Sequence, residues 1–416
     1  MNLLLKKTIA KQQTDIIVTG SKSETNRLLL LQSLFPNIRL ENISKSDDSE
    51  VMLKVLETFK NNQTNTHHFD IHHAGTAMRF LTAYFSIQEG HETVLTGSQR
   101  MQERPIKILV DALRQLDVAI DYVNNEGFPP IRIKGKKITK NKVTLKADVS
   151  SQYVSALLLI AAKLENGLEL HLEGEITSVP YLKMTLTLLD EIGIATSFKD
   201  NIISVKPKEI VQLDRSLVIE SDWSSASYFY SIIALSNIGT EITLSSYKKS
   251  SLQGDAALAT IYKEFGVETI FNVSNTITLK KVSVSKKETL NFDLNNSPDI
   301  AQTIAVTCFG LGISCDLYGL HTLKIKETDR LEALQIELTK LGASISVTNT
   351  SLHLKVSHQM NENCAIKTYQ DHRMAMAFAP LALRINIIIE EAEVVSKSFP
   401  TFWEDLKTIG FSIENI

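Results

Sequence analysis

Several short polar segments combine hydroxyl, amide and cationic side chains directly before an apolar, helix-like run. One of them, Thr19–Arg27, follows the strand-like Asp15–Thr19 and precedes the apolar run Leu28–Leu31. We interpret it as a strand, a loop and a helix start, with Ser21 and Glu24 spaced as in a capping box. The free amides of a first helical turn favour a phosphate or a carboxylate. Taken alone, such a segment is more typical of a solvated helix cap.

The same pattern recurs in both halves of the chain, each time with Lys, Arg, Ser or Gln near a predicted helix start. In one case Pro105 stands at the expected first position of a helix. The recurrences are Ala74–Arg79, Arg100–Ile106, Ser150–Gln152, Asp222–Tyr228, Lys326–Arg330, Asp371–Arg373 and Lys397 ahead of Phe399–Thr401. Together they predict a cleft in which helix N-termini and cations converge on a small polyanion.

Composition restricts the remaining possibilities. A chain of 416 residues suggests two or three domains, and a net charge of −3 argues against non-specific adhesion to a polyanion such as nucleic acid. The longest apolar stretches, such as Val154–Ala162, are too short to cross a bilayer, and Met1–Lys7 is too short for a signal peptide. We therefore expect a cytoplasmic protein with no membrane partner. Cys308, Cys315 and Cys364 lack CxxC spacing, so we expect buried apolar residues.

The segment His67–His73 is the one candidate for a metal site. It lies in strand-like sequence, where neighbouring histidines point to opposite faces and cannot bind one ion without a turn. We expect a solvated or half-buried strand there and no metal. The phosphate loop GxxxxGK[ST], the HExxH motif and a complete dinucleotide fingerprint are all missing from the sequence, so no cofactor is expected.

A repeat organises the chain. Five times a helix-like run ends in a short interruption and passes into an alternating strand, and the interrupting residues lie 76, 73, 76 and 68 residues apart: Asp117, Gly193, Gly266, Gly342 and Gly410. We expect left-handed backbone dihedrals at all five, followed by hairpins such as Ile194–Pro207 and Ala343–Val356. With a degenerate sixth copy around Val51–Phe59, the pattern predicts six α/β units, three to a domain.

The ordered motifs resemble the 5-enolpyruvylshikimate-3-phosphate synthase family of enolpyruvyl transferases. They are Gly20–Ser23, Ala74–Arg79, Arg100–Ile106, Ser150–Gln152, Ser224–Tyr228, Pro298-Asp299, Lys326–Arg330 and Asp371–Met376. The resemblance covers nearly the whole chain. It implies an α/β protein of the inside-out barrel type, in which two similar domains each contain three repeated units. It also implies that residues 21–220 form one domain, that 1–20 and 221–416 form the other, and that the active site lies in the cleft between them.

The resemblance further implies a reaction and its residues. The enolpyruvyl group of phosphoenolpyruvate moves to the 5-hydroxyl of shikimate 3-phosphate, with release of phosphate and no metal or cofactor. Asp299 is implied as the base toward the hydroxyl, Glu327 as the proton donor to C3, with Lys326 and His372 beside it and Lys22 stabilising phosphate charge. The implied ligands of shikimate 3-phosphate are Lys22, Ser23, Arg27, Ser150, Ser151, Gln152, Ser178, Tyr181, Asp299 and Lys326. Those of phosphoenolpyruvate are Lys22, Gly75, Arg104, Gln152, Arg330, Arg373 and Lys397.

Three positions depart from the family pattern: His73, Phe80 and Thr322. Two other functions stay open. The first is the sister reaction on UDP-N-acetylglucosamine, whose enzymes carry a cysteine in the loop that is Gly97–Pro105 here, where this chain has none. The second is a non-enzymatic polyanion-binding protein, which explains the cations but leaves Asp299 and Glu327 without a role. We expect a monomer whose partners are small-molecule substrates.

Overall fold

The computed structural model describes residues 1–62, 64–146, 150–174, 176, 179–213, 215–285, 287–357 and 359–416. Contacts between Cα atoms divide the chain into two units, which we call unit A (Gly20–Ile219) and unit B (Met1–Thr19 with Glu220–Ile416). Across the described ranges, none of the helices has both the length and the apolar composition needed to span a bilayer.

Helices and strands alternate along both units. The described α-helices are α1 Lys22–Leu34, α2 Asp47–Asn61, α3 Gly75–Ser86, α4 Gln99–Gln102, α5 Lys107–Gln115, α6 Ser151–Ala161, α7 Val179–Glu191, α8 Trp223–Leu235, α9 Leu258–Ile261, α10 Ala301–Leu311, α11 Arg330–Lys340, α12 His372–Phe378 and α13 Phe402–Ile409. The 3₁₀ turns are Gly254–Ala257, Tyr262–Phe265, Pro298–Ile300, His321–Ile325, Ala379–Leu383 and Ala392–Lys397.

The strands are short, as expected for small repeated sheets. They are β1 Leu3–Lys6, β2 Gln13–Ile16, β3 Leu40–Glu41, β4 Thr66–Asp70, β5 Glu92–Thr96, β6 Ala119–Tyr122, β7 Ile131–Lys134, β8 Lys142–Lys146, β9 Leu168–Glu173, β10 Thr196–Lys199, β11 Ile202–Val205, β12 Leu217–Val218, β13 Glu241–Leu244, β14 Val267–Phe271, β15 Ile277–Lys281, β16 Thr289–Asp293, β17 Ser314–Tyr318, β18 Ile345–Val347, β19 Ser351–Leu354, β20 Cys364–Ile366, β21 Ile387–Ile389 and β22 Ser412–Asn415.

One sheet pattern recurs five times among the described residues. In the order β4-β5-β7-β6, the first two strands are parallel and the last two form an antiparallel hairpin. The same pairing builds β8-β9-β11-β10, β2-β13-β15-β14, β16-β17-β19-β18 and β20-β21-β1-β22. A sixth sheet contains only the parallel pair β3 and β12, and the degenerate copy expected around Val51–Phe59 is α2, which follows β3. The predicted fold of six repeated α/β units, three in each unit of the chain, is therefore confirmed.

The five interrupting residues adopt the predicted backbone conformation. Their φ angles are 64° at Asp117, 77° at Gly193, 74° at Gly266, 98° at Gly342 and 114° at Gly410. Left-handed dihedrals reverse the chain at a helix C-terminus, and a glycine adopts them at little cost. A common backbone reversal thus connects each of these helices to the strand that follows it.

Unit B takes strands from both ends of the chain. Strand β1 pairs antiparallel with both β21 and β22, while β2 pairs parallel with β13. The first sixteen residues therefore complete two of the three sheets of unit B.

Each unit encloses three helices that contact one another: α1, α3 and α6 in unit A, and α8, α10 and α12 in unit B. In α10, all residues from Ala301 to Gly310 are buried. Hydroxyl groups inside this bundle bond one another, as Thr307 of α10 does to Ser231 of α8, so part of the polar content of these helices is satisfied within the unit.

Three local predictions are wrong. Ser21 does precede α1, but its hydroxyl makes no capping hydrogen bond, so the expected capping box does not form. Helix α5 begins at Lys107, two residues after Pro105, which therefore lies outside the helix. Cys308 and Cys315 are buried as expected, whereas Cys364 is half-buried at the start of an edge strand. Each error concerns a local detail, a cap, a helix start or the exposure of one side chain, that residue types alone do not determine.

Two of the left-handed glycines permit a matched test. A Cβ at Gly266 would overlap the carbonyl oxygen of Ser283 and lie 2.6 Å from its carbon, whereas at Gly342 the nearest atom is 3.5 Å away. Gly342→Ala should therefore cost only the left-handed strain, about 1–2 kcal/mol, and Gly266→Ala should cost about 1–3 kcal/mol more from overpacking. Urea unfolding of both variants measures the difference. Equal losses would show that the close approach at Ser283 relaxes freely.

Candidate active site

Arg330, the first residue of α11, is surrounded by three carboxylates in unit B. Its Nε donates to Asp371 Oδ2 at 2.6 Å, its Nη1 to Asp299 Oδ1 at 2.8 Å and its Nη2 to Glu327 Oε2 at 2.8 Å. Only 1% of Arg330 is exposed. Burial lowers the pKa of this guanidinium, but the three carboxylates raise it above its usual value, so the group stays charged. A planar fork of donors suits this arrangement, which a lysine cannot reproduce.

Asp299 is the most strongly neutralised of these carboxylates. Besides Arg330, its oxygens lie 3.3 Å from Lys326 Nζ and 3.5 Å from Arg373 Nη2. Burial would raise the pKa of Asp299, but the charges of Lys326, Arg373 and Arg330 together hold it well below the usual range. Asp299 is therefore ionised at neutral pH, which is the protonation state that a general base requires.

Three helix starts deliver these residues to one place. Asp299 lies in the turn Pro298–Ile300 that leads into α10, Asp329 caps α11 by accepting from the amides of Leu331 and Glu332, and Asp371 caps α12. Glu327 lies three residues before the first residue of α11, and Asp329 is the cap of that helix. The carboxylate of Glu327 instead faces the guanidinium of Arg330.

His372, Arg373 and Lys397 complete the unit B cluster. His372 is 2% exposed, with Nδ1 4.0 Å from Asp371 Oδ1. The Nζ of Lys397 donates to the carbonyl of Gln370 at 2.7 Å, and Gln370 has a left-handed φ of 55°. Lys397 is thus bound to the strained residue that directly precedes the Asp371–Arg373 segment.

In unit A, two cations lie at the starts of α1 and α3. The Nζ of Lys22 is 3.5 Å from Asp48 Oδ1, a carboxylate in the first turn of α2. The guanidinium of Arg104 covers Gly75, the first residue of α3: a Cβ at Gly75 would lie 2.8 Å from Nη2 and 2.9 Å from Cζ of Arg104. The missing side chain of Gly75 therefore allows the guanidinium to reach the helix start.

Gln152 links two of these helix starts. Its Nε2 donates to Thr76 Oγ1 at 3.2 Å, which brings the first turn of α6 beside that of α3. Ser150 caps α6 by accepting from the amide of Gln152, and Ser151 is the first residue of that helix. The predicted substrate ligand Ser178 lies outside the described residues.

Arg27 is the predicted ligand whose surroundings differ most from expectation. It is 2% exposed, and its guanidinium donates to Thr185 Oγ1 at 2.8 Å, Ser155 Oγ at 3.0 Å and the carbonyl of Ser23 at 2.7 Å. Burial lowers its pKa to about 10, an effect that nearby Tyr181 and Glu24 partly offset. Ser23 and Arg27 lie four residues apart in α1, and the bond between them runs from the Arg27 side chain to the Ser23 backbone.

Two acidic residues were missed by the sequence analysis of the site. Asp371, 0% exposed, binds Arg330 and caps α12, and Asp48 pairs with Lys22. Asp371 lies in one of the polar motifs, so its position in the sequence could have marked it as a site residue. Asp48 lies in none of the motifs, and nothing in the sequence distinguished it. Among the described residues, no group of three His, Cys, Asp or Glu side chains is arranged as metal ligands.

Comparisons with known proteins agree with one another. Residues 6–406 match the family described as EPSP synthase (3-phosphoshikimate 1-carboxyvinyltransferase). A 3-phosphoshikimate 1-carboxyvinyltransferase of Bacteroides fragilis is 46% identical over 404 residues, 96% of each chain, and one of Sulfurovum sp. is 34% identical over 435 residues, 99% of this chain and 100% of the relative. The solved structure of EPSP synthase from Acinetobacter baumannii has a TM-score of 0.82 at 18% identity over 100% of both chains, a likeness of fold.

The carboxylates around Arg330 predict a pH-dependent stability defect. In the native chain, the depressed pKa of Asp299 contributes stability that is present above the unfolded pKa of about 4 and is lost only below it, as pH falls through the folded pKa. In Arg330→Met, Asp299 keeps Lys326 and Arg373, but the completely buried Asp371 loses the guanidinium that pairs with it. A buried carboxylate without its cation is penalised at pH 7, and protonation at lower pH relieves that penalty. We expect a loss of about 3–5 kcal/mol at pH 7 and a clearly smaller loss at pH 5, measured by urea unfolding.

Arg384→Met serves as the control for that experiment. The half-buried guanidinium of Arg384 donates to the carbonyl oxygens of Gly310 and Leu383. Its removal should cost the same at both pH values. If Arg330→Met behaved like this control, the guanidinium would not be what keeps the buried carboxylates ionised.

Proposed function

The chain belongs to the EPSP synthase family, whose members transfer the enolpyruvyl group of phosphoenolpyruvate to shikimate 3-phosphate, and from this premise we propose how its residues divide the work. The observation that carries the proposal is the binding of Asp299 and Glu327 to one buried guanidinium, that of Arg330. The two carboxylates are thereby held at adjacent nitrogens of a rigid plane, as a paired base and acid require.

We assign the proton transfers accordingly. The 5-hydroxyl of shikimate 3-phosphate loses its proton to Asp299 as its oxygen attacks C2 of phosphoenolpyruvate, and C3 gains a proton from Glu327. Glu327 then takes a proton back from C3 as phosphate leaves, which restores the carbon–carbon double bond and completes the transfer. Lys326 and His372 flank these groups, and Lys22 stabilises the charge of the departing phosphate.

The negative charge of bound phosphoenolpyruvate raises the proton affinity of both carboxylates. Asp299 without substrate is a weak base because three cations neutralise it. Phosphoenolpyruvate brings a carboxylate and a phosphate to the same cations, and the added negative charge raises the proton affinity of every neighbouring carboxylate. Binding would therefore strengthen Asp299 as a base and favour the protonated form of Glu327 that an acid needs.

The remaining substrate-binding residues are assigned to the two substrates. We propose that phosphoenolpyruvate is bound by Lys22, Gly75, Arg104, Gln152, Arg330, Arg373 and Lys397, and shikimate 3-phosphate by Lys22, Ser23, Arg27, Ser150, Ser151, Gln152, Ser178, Tyr181, Asp299 and Lys326. Arg27 donates four hydrogen bonds within unit A, and a guanidinium has five N–H groups, so a substrate carboxylate would share it with these partners. Because both sets include residues of units A and B, the reaction needs both units to act on one pair of substrates, and the cleft between domains remains our proposal for the site.

We also propose that the enzyme acts as a cytoplasmic monomer without nucleic-acid partners. The assignment to this reaction is tested by phosphate release, which should require both substrates together. A polyanion-binding protein would bind them without release, and the sister activity would respond instead to UDP-N-acetylglucosamine.

Glu327 and Asp329 give a matched pair of variants for the proton donor. Glu327→Gln keeps an oxygen for Arg330 but has no proton to donate, so turnover should fall about 10²–10⁴-fold with little change in stability. Asp329→Ala removes the cap of α11, so stability should fall by about 1 kcal/mol with turnover near normal. Steady-state kinetics and urea unfolding of both variants separate the roles. Retention of more than about a tenth of turnover in Glu327→Gln would argue against the donor role, for which a loss of at least about 10²-fold is expected.

Gly75→Ala tests the space beneath Arg104. The added methyl must displace the guanidinium, so the KM for phosphoenolpyruvate should rise about tenfold, a free-energy change of about 1.4 kcal/mol. Inhibition by glyphosate, which competes with phosphoenolpyruvate in this family, should weaken more because the inhibitor is longer. Affinity for shikimate 3-phosphate alone, measured by calorimetry, should not change. If Gly75→Ala had the same effect in an Arg104→Ala background, the methyl would not act through the guanidinium.

A further inference from the structure

A buried carboxyl is separated from Arg373 of the unit B cluster by a single hydrogen-bonded residue, and it belongs to none of the motifs used above. Asp255 is 6% exposed and lies in the 3₁₀ turn Gly254–Ala257, which packs against α8. The hydroxyl of Ser224, in the first turn of α8, donates to Asp255 Oδ2. The same hydroxyl oxygen accepts a hydrogen bond from Arg373 Nη2 at 3.1 Å. Ser224 therefore connects the buried carboxyl to a guanidinium of the candidate site.

The direction of the two hydrogen bonds that join Arg373, Ser224 and Asp255 follows from the protons that each group can donate. A guanidinium can only donate, and a serine hydroxyl has one proton to give. Since Ser224 accepts from Arg373, its own proton must go to Asp255. The carboxylate thus orients the hydroxyl so that its lone pairs face Arg373.

The turn that carries Asp255 is itself anchored to the start of α8. The side chain of Gln253 accepts from the amide of Trp223 at 2.9 Å and donates to the carbonyl of Ser221 at 2.9 Å. Ser251 donates to Glu220 at 2.6 Å, a buried carboxylate that also accepts from the indole of Trp223. Asp255 therefore has little freedom to follow a displaced Ser224.

Several charges face Asp255. Burial raises its pKa to about 6; Asp299 and Asp222 also raise it, while Arg373 and the bond from Ser224 lower it. One nitrogen of Arg373, Nη2, therefore lies 3.1 Å from Ser224 Oγ and 3.5 Å from Asp299 Oδ2. A substrate anion would compete with the charged Asp299 for this guanidinium, whereas Ser224 is a neutral acceptor that Asp255 holds in place.

We propose that Asp255, acting through Ser224, is a positioning residue that fixes one terminal nitrogen of Arg373 and so orients the guanidinium toward phosphoenolpyruvate. The proposal rests on the assignment of Arg373 as a ligand of phosphoenolpyruvate. Neither Asp255 nor Ser224 needs to touch the substrate. Their contribution is to reduce the freedom of Arg373 before binding, which lowers the cost of ordering it.

The test uses Ser224→Ala, Asp255→Asn, Arg373→Ala and the double variant Ser224→Ala/Arg373→Ala in the full-length enzyme. Ser224→Ala and Asp255→Asn should each raise the KM for phosphoenolpyruvate about tenfold, leaving the affinity for shikimate 3-phosphate unchanged. In the Arg373→Ala background, Ser224→Ala should have no further effect, because its action passes through the missing guanidinium. Ser236→Ala, at the other end of α8, is the matched control and should change none of these values.

A pH comparison separates positioning from a general loss of structure. The ratio of variant to native KM cancels the titration of the substrate. For Asp255→Asn this ratio should fall toward one between pH 8 and pH 5.5, because the native Asp255 loses its own charge there. A ratio independent of pH would overturn the role of the carboxylate.

The remaining outcomes are also decisive. An unchanged KM in Ser224→Ala, or additive effects in the double variant, would overturn the proposal while leaving Arg373 as a ligand. An unchanged KM in Arg373→Ala would instead refute the assignment of Arg373, and with it the inference built on it. If Asp255→Asn failed to fold, Ser224→Ala and its cycle with Arg373 would still decide the question.

Discussion

The burial of one guanidinium organises the charged cluster of unit B. Arg330 is almost inaccessible to water, so its donors must be satisfied by the protein, and the protein supplies carboxylates from segments 31 and 41 residues away in sequence. An uncompensated charge there would cost several kcal/mol, of order 3–5. The starts of α10, α11 and α12 must therefore meet at this point. The same requirement holds Asp299 and Glu327 in a fixed relation before any substrate arrives.

The repeated architecture explains how such a meeting is achieved. Each α/β unit contributes one helix to a bundle of three, and several of the polar motifs lie at the starts of these helices. Two kinds of residue occur there: cap residues such as Asp371, which satisfy free amides, and cations such as Lys22, which is paired with the carboxylate of Asp48. The positive charge at these helix starts is thus partly balanced by carboxylates of the protein itself.

Sequence periodicity predicted the repeated fold because each outer helix ends in the same backbone reversal. In the sequence this reversal is marked by a Gly or, in one case, by Asp117, since aspartate also tolerates left-handed dihedrals. Motif positions predicted most candidate site residues for a similar reason, since they lie at helix starts. The order of strands was not predictable, because β1 and β2 join sheets whose other strands are hundreds of residues distant. Side-chain partners such as Asp48 for Lys22, and Asp255 for Ser224, also escaped prediction. These contacts depend on tertiary distance, which residue type and spacing do not encode.

The placement of β1 has a consequence for biosynthesis. Unit A is one continuous stretch, so it can begin to fold as soon as its residues leave the ribosome. Strand β1 is made almost first, yet its partners β21 and β22 are made last. At roughly 5–20 residues per second, translation leaves β1 without its partners for about 20–80 s. During that time the nascent chain carries an unpaired strand rich in leucine, and segments of that kind are prone to aggregate until their partners are made.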